Sequence, residues 1–139
     1  MALLDDGARA IKDIPSDGCF YELFKHSEGI KSVSDNFLPS TYLRYACYWG
    51  MFENCTSLTQ APALPATELV DYCYDGMFEG CTSLNSVKIG YTGIPINAPK
   101  GAFDDWVKGI AKKGTFYYNG LDCPPSLFYF PDLWVIKHY

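Results

Sequence analysis

The 139-residue chain is 48% hydrophobic and 19% charged, enough apolar side chain for one packed domain and too little charge for a disordered chain. A net charge of −5 and a pI near 4.8 argue against binding to a phosphate backbone. No apolar run approaches the roughly 18–20 residues of a membrane span, so membrane insertion is not expected.

At the N-terminus, Met1-Ala2-Leu3-Leu4-Asp5-Asp6-Gly7 lacks the basic start and long apolar stretch of a signal peptide. Residues 1–18, with Ala8, Ile11, Ile14 and Pro15, are expected to form an N-terminal cap or truncated repeat. A repeat follows. Cys47-Tyr48-Trp49-Gly50-Met51-Phe52-Glu53-Asn54-Cys55-Thr56-Ser57-Leu58 returns 26 residues later as Cys73-Tyr74-Asp75-Gly76-Met77-Phe78-Glu79-Gly80-Cys81-Thr82-Ser83-Leu84. A weaker copy begins 28 residues upstream at Cys19, with Leu23 in the Met column and Ser27 in that of Cys55. Three repeats are expected, at 19–46, 47–72 and 73–96.

Columns that stay apolar point inward: Cys19, Cys47, Cys73; Leu23, Met51, Met77; Phe24, Phe52, Phe78; Ile30, Leu58, Leu84. One unit cannot bury its own apolar face, but stacked neighbours share a core. The column Lys25, Glu53, Glu79 points outward. Thr82 to Ile89 suits a short strand. Apolar residues at Leu69, Cys73, Met77 and Phe78 fit a short helical turn, which Gly76 weakens.

Residues 97–139 are expected to close the array. Phe103, Trp106, Val107 and Ile110 fall at i, i+3, i+4 and i+7, one face of a helix that Pro99 would open and Gly114 end. Lys108, Lys112 and Lys113 would be its solvated face and C-terminal end. Gly114 to Tyr118 reads as a strand and Asn119-Gly120 as a turn.

The pattern Cys-Tyr-x-x-Met-Phe-x-x-Cys-Thr-Ser-Leu, followed by Ala-Pro-x-Leu-Pro-Ala-Thr-x-Leu, resembles the BspA-like leucine-rich repeats of bacterial surface antigens, in versions found in gut Bacteroidales and their phages. The match is specific between residues 38 and 87. The ending Pro131-Asp132-Leu133-Trp134-Val135-Ile136 is similar to the Pro-x-Gly-Trp-x-Val close of that family, with Leu133 in place of Gly. The resemblance implies an α/β repeat fold. This is a short leucine-rich-repeat solenoid, one short strand plus a helical turn per ~26-residue repeat, with a helix–strand C-terminal cap. It implies adhesion or recognition without a cofactor, at an extracellular, cell-surface or virion-associated location.

The chemistry-bearing residues offer little for catalysis. The six cysteines lack the short pair spacing of zinc sites, and the repeat period accounts for five of them as buried thiols, which we favour over disulfides or a metal. His26 lies in a variable outward column and His138 near the chain end. Asp104 and Asp105 are adjacent, so they do not face each other on a helix, and neither they nor Asp5-Asp6 form a calcium loop. No phosphate-cradling, nucleophile-elbow or metalloprotease motif occurs. No enzyme, cofactor, metal or nucleic-acid partner is expected.

Surface columns drift where core columns hold. The drifting column Tyr21, Trp49, Asp75, with Tyr42, Tyr45 and Tyr72 nearby, is therefore the candidate binding site. Exposed Trp and Tyr favour contact with a protein or the face of a surface glycan. The bland alternative has these rings packing across repeats as amphipathic spacers. The expected function is a non-catalytic module for adhesion or receptor recognition. The alternative is a structural component, for example of a phage virion, docking onto another chain.

Overall fold

The computed structural model describes residues 3–4 and 14–139. Of the expected N-terminal cap, Ala8 and Ile11 lie outside the described residues, whereas Ile14 packs half-buried against the core.

The helical turns of the expected leucine-rich-repeat solenoid are not there. Among the described residues there is no α-helix, only short strands, two 3₁₀ helices and long runs of turns. The turn runs form ribbons: ribbon 1 (18–27), ribbon 2 (44–55), ribbon 3 (70–81) and ribbon 4 (99–110). In ribbon 2, the N–H groups of Cys47, Trp49, Met51, Glu53 and Cys55 donate to carbonyls three residues back. The N–H groups between them donate out of the ribbon. Tyr48, Gly50, Phe52 and Asn54 bond the carbonyls of Cys73, Asp75, Met77 and Glu79 at 2.7–3.2 Å. Ribbon 3 treats ribbon 4 the same way, through Tyr74, Gly76, Phe78 and Gly80 to Ala102, Asp104, Trp106 and Lys108. An α-helix keeps all its interior N–H groups for itself. Ribbons 1 to 3 each spend about half on the next ribbon, so backbone hydrogen bonds as well as side chains hold the stack together.

This pattern demands a left-handed residue at every fourth position. Positive φ occurs at Gly18, Glu22 and His26, at Ala46, Gly50 and Asn54, at Tyr72, Gly76 and Gly80, and at Gly101, Asp105 and Gly109. Each of these in ribbon 2 is the third residue of a turn closed by Cys47, Met51 or Cys55, the position where a type II turn requires φ > 0. Gly, Asn, Asp and His dominate the set because they tolerate that region. Side chains then leave in pairs. Cys47–Tyr48 and Met51–Phe52 point in, while Trp49 and Glu53 stay only partly buried.

Residues 99–110 are likewise a fourth ribbon rather than the helix of a cap. Ala102–Phe103, Trp106–Val107 and Ile110 are its inward pairs, 29 residues on from Cys73–Tyr74, Met77–Phe78 and Cys81. Inward pairs at a period of 4.0 mimic a 3.6-residue helical stripe over so short a window. Lys112 and Lys113 lie in the bend after the ribbon, not at a helix end.

Opposite the ribbons, short strands pair in parallel. Strand β1 (Leu3–Leu4) pairs with β2 (Ser32–Val33), and β3 (Ser86–Lys88), β4 (Thr115–Tyr117) and β5 (Val135–Lys137) form a second sheet in that order. Gln60 bridges Ser32 on one side and Ser86 on the other, joining the two sheets through a single residue.

Between ribbons and strands lies a core of stacked rings. Phe24, Phe52 and Phe78 follow one another at 5.5 and 5.9 Å, and Tyr48 and Tyr74 stack at 6.3 Å with planes 3° apart. Burying each such ring contributes on the order of 2–3 kcal/mol. Leu23 departs from its column, being 50% exposed. The far end is closed by the 3₁₀ helix Pro125–Phe128 and the segment after it. Trp106 Nε1–H donates to the Phe128 carbonyl at 3.0 Å and Trp134 Nε1–H to that of Ala111 at 2.8 Å, so both indoles are buried with their donors satisfied.

Candidate functional site

The outer wall of the ribbons gathers five of the six residues singled out from sequence, four of them as rings in contact. Tyr21 meets Trp49 edge-on at 5.8 Å, Trp49 stacks on Tyr72 at 5.2 Å and 15°, and Tyr45 meets Tyr72 edge-on at 5.6 Å. Tyr21 and Tyr45 are 52% and 48% exposed. Tyr72 takes the same left-handed corner as Gly18, Ala46 and Gly101 and is half-buried, its ring lying against those of Trp49 and Tyr45. Lys100 Nζ lies 5.9 Å from its ring centre, a weak cation–π contact. Trp49 is half-buried, flanked by Tyr21 and stacked on Tyr72. Tyr42 is 87% exposed but makes none of these ring contacts. It stands on a separate turn where its N–H bonds Ser40 Oγ.

Asp75 follows Trp49 in the drifting column, and Asp104 of ribbon 4 continues it. Burial, then Asp104, Asp105, Glu79 and Glu53 in decreasing effect, push the Asp75 carboxyl up to about 6. Nearer ribbon 1 the charges are matched. Lys25 Nζ reaches Glu53 at 2.6 Å and Glu22 at 3.1 Å, and those hydrogen bonds raise the ammonium above its usual range. A helix from Pro99 to Gly114 would set Asp104 and Asp105 apart from this wall. The available signal was the four-residue spacing of Gly101, Asp105 and Gly109.

All six cysteines are free. Cys55 Sγ–H donates to the Phe24 carbonyl at 3.1 Å and Cys81 Sγ–H to that of Phe52 at 3.0 Å, tying each ribbon's end to the one before. Burial pushes Cys47 and Cys55 up to about 11 and Cys73 to about 12, opposite to the shift an activated nucleophile needs. His26 is exposed, and the His138 ring engages the Tyr118 carbonyl at 2.8 Å and Asp122 at 3.1 Å rather than a Ser or Cys. Among the described residues, no group of three or more His, Cys, Asp or Glu could hold a metal ion, and no helix is long and apolar enough to cross a membrane. Tyr48 Oη is buried without a hydrogen-bond partner among the described residues.

Comparison with models of protein families, with curated proteins and with solved structures finds no match to this chain.

Proposed function

We propose that this chain is a non-catalytic binding module that recognises a protein partner through the outer strip Tyr21–Trp49–Tyr72–Tyr45. The contiguity of these rings on one exposed wall carries the reading. They fall in columns that are free to vary, while the inward columns of Cys47, Met51, Phe52 and Leu58 stay apolar. The strip offers ring edges, phenol hydroxyls and an indole N–H rather than a bare indole face, because Tyr72 stacks on Trp49 and Tyr21 lies against it. That favours a protein surface over a stacked sugar ring at this site. Adhesion or receptor recognition at a cell surface or on a virion is the setting we favour, supported by the resemblance of residues 38–87 to surface-antigen repeats.

A structural role in an assembly is the second reading. It is favoured by Leu121, Leu127, Leu133 and Val135, exposed in the C-terminal segment that carries β5, the edge strand of its sheet.

Screening the purified chain against extracellular-protein arrays, beside the Tyr21→Ala/Tyr45→Ala variant, tests the proposal. A genuine contact centre loses at least about 30-fold in affinity, corresponding to about 2 kcal/mol, with an unchanged melting curve. Array binding that persists undiminished in the variant removes the strip from the site. Size-exclusion chromatography with light scattering distinguishes the second reading, since a defined oligomer would put assembly first.

A further inference from the structure

The sheet side of the molecule carries a separate feature, away from the aromatic strip. Successive coils bring Asp35, Gln60, Ser86, Lys88, Tyr117 and Tyr139 around one cavity of about 230 Å³. The pairing explains why these residues converge. Gln60 bridges Ser86, and Lys88 lies opposite Tyr117, so their side chains stand on neighbouring rungs while Val87 and Phe116 turn into the core. Tyr139 closes one side, its hydroxyl donating to the Ile89 carbonyl at 2.7 Å and its ring 4.3 Å beneath Lys88 Nζ.

We propose that this cavity binds a polyhydroxylated ligand of monosaccharide size. Its walls mix a cation, a carboxylate, an amide, a hydroxyl and phenols. Lys88 and Asp35 line the same space without pairing with each other within ion-pair distance among the described residues. Asp35 instead receives the Gln60 amide on Oδ1 at 2.9 Å, which fixes both groups and leaves Asp35 Oδ2 and Gln60 Oε1 as acceptors. A ligand that bridges such walls needs groups that donate and accept at once, and a hydroxyl does both. Vicinal hydroxyls can donate to Asp35 and Gln60 while accepting from Lys88, and the half-buried Tyr117 ring offers an apolar surface for a C–H face. A phosphate would meet the Asp35 carboxylate, a bare cation the Lys88 ammonium, and an apolar ligand would strand the polar walls. The volume lies below the usual range for drug-sized ligands, which restricts the occupant to something small.

The experiment is a titration of the ¹⁵N-labelled chain with D-galactose, N-acetyl-D-glucosamine and D-glucuronate, and with glycine as the zwitterionic control. At least one sugar should give saturable shifts at the amides of Gln60, Ser86, Lys88 and Tyr117. Lys88→Met and Asp35→Ala should each weaken that binding at least tenfold, with the thermal midpoint unchanged, and Asp35→Asn should recover part of it. If either truncation lowers the midpoint, Lys88→Gln replaces Lys88→Met and should still weaken binding at least tenfold, and Asp35→Asn, which loses the charge, should still bind more weakly than wild type. The proposal is overturned by any of three results: no saturable shift with any sugar, shifts with glycine alone, or sugar binding that the variants leave intact or that maps to Trp49. Shifts at Trp49 would put a sugar on the aromatic strip; the other results do not bear on the strip, whose test reads a protein partner.

Discussion

Replacing Gly76 with Ala separates a stacked ribbon from a helix, because the two predict opposite signs. Gly76 has φ +58°, and a Cβ built on it would meet only Glu79 Oε1 at 3.6 Å and Glu53 Oε1 at 3.9 Å, ordinary van der Waals contact. No clash contributes, so the cost is that of holding an L-residue in the left-handed region, about 1–2 kcal/mol. The stiffer unfolded chain returns about 0.4–1 kcal/mol of this. The net destabilisation is about 1 kcal/mol, a fall in midpoint of about 3 °C for a domain of this size. Urea denaturation, with the slope held common to both proteins, measures it directly. In an α-helix the same substitution would stabilise by about 1 kcal/mol. A Gly76→Ala protein more stable than wild type would refute the ribbon. Gly80→Ala should also destabilise, since Gly80 has φ +77° and its Cβ would make the Asn54 side chain turn aside.

Tyr48→Phe removes a buried hydroxyl with no partner among the described residues, and should leave stability unchanged or raise it by about 1 kcal/mol; a clear loss on denaturation would mean the hydroxyl is satisfied. The Asp75 carboxyl, raised to about 6, is favoured by the fold in its protonated form. Its penalty is absent below about pH 4, grows between pH 4 and 6 and is complete above. Asp75→Asn should therefore flatten the stability profile across that window and add about 1 kcal/mol at pH 7 after allowing for solvent screening; a variant with the wild-type pH profile would contradict this. Phe52→Ala, in the middle of the ring stack, should cost about 3–5 kcal/mol, against less than 1 kcal/mol if the ring were peripheral. In native protein, Ellman's reagent should reach Cys19 and Cys123 well before Cys47, Cys55, Cys73 and Cys81, which should react at the unfolding rate; equal rates for all six would mean an open core.

The inward columns were legible because burial holds residue type constant from coil to coil: Cys47, Met51 and Phe52 sit in the core with Cys73, Met77 and Phe78. The backbone that carries them was not. Spacings of four and one fit a helix well enough that Gly76 read as a weakness, when Gly50, Gly76 and Gly80 supply left-handed corners. Ala46, Glu22 and Tyr72 also take positive φ, which their residue types do not announce, because inter-ribbon hydrogen bonds hold them there. In the candidate site, the drifting column singled out Trp49 and Tyr21 and adjacency suggested Tyr45 and Tyr72; these four rings are in contact, whereas Tyr42 stands apart. Gln60, Lys88 and Tyr117 converge only through sheet register, and no local motif marks that convergence.

The most direct test of the stacked-ribbon account is a map of hydrogen bonds by scalar coupling across them, from amide nitrogen to acceptor carbonyl carbon. The account predicts couplings from Tyr48 N to Cys73 C′ and from Gly50 N to Asp75 C′, alternating with Met51 N to Tyr48 C′. Couplings from Met51 N to Cys47 C′ and from Phe52 N to Tyr48 C′ would instead establish an α-helix and contradict it.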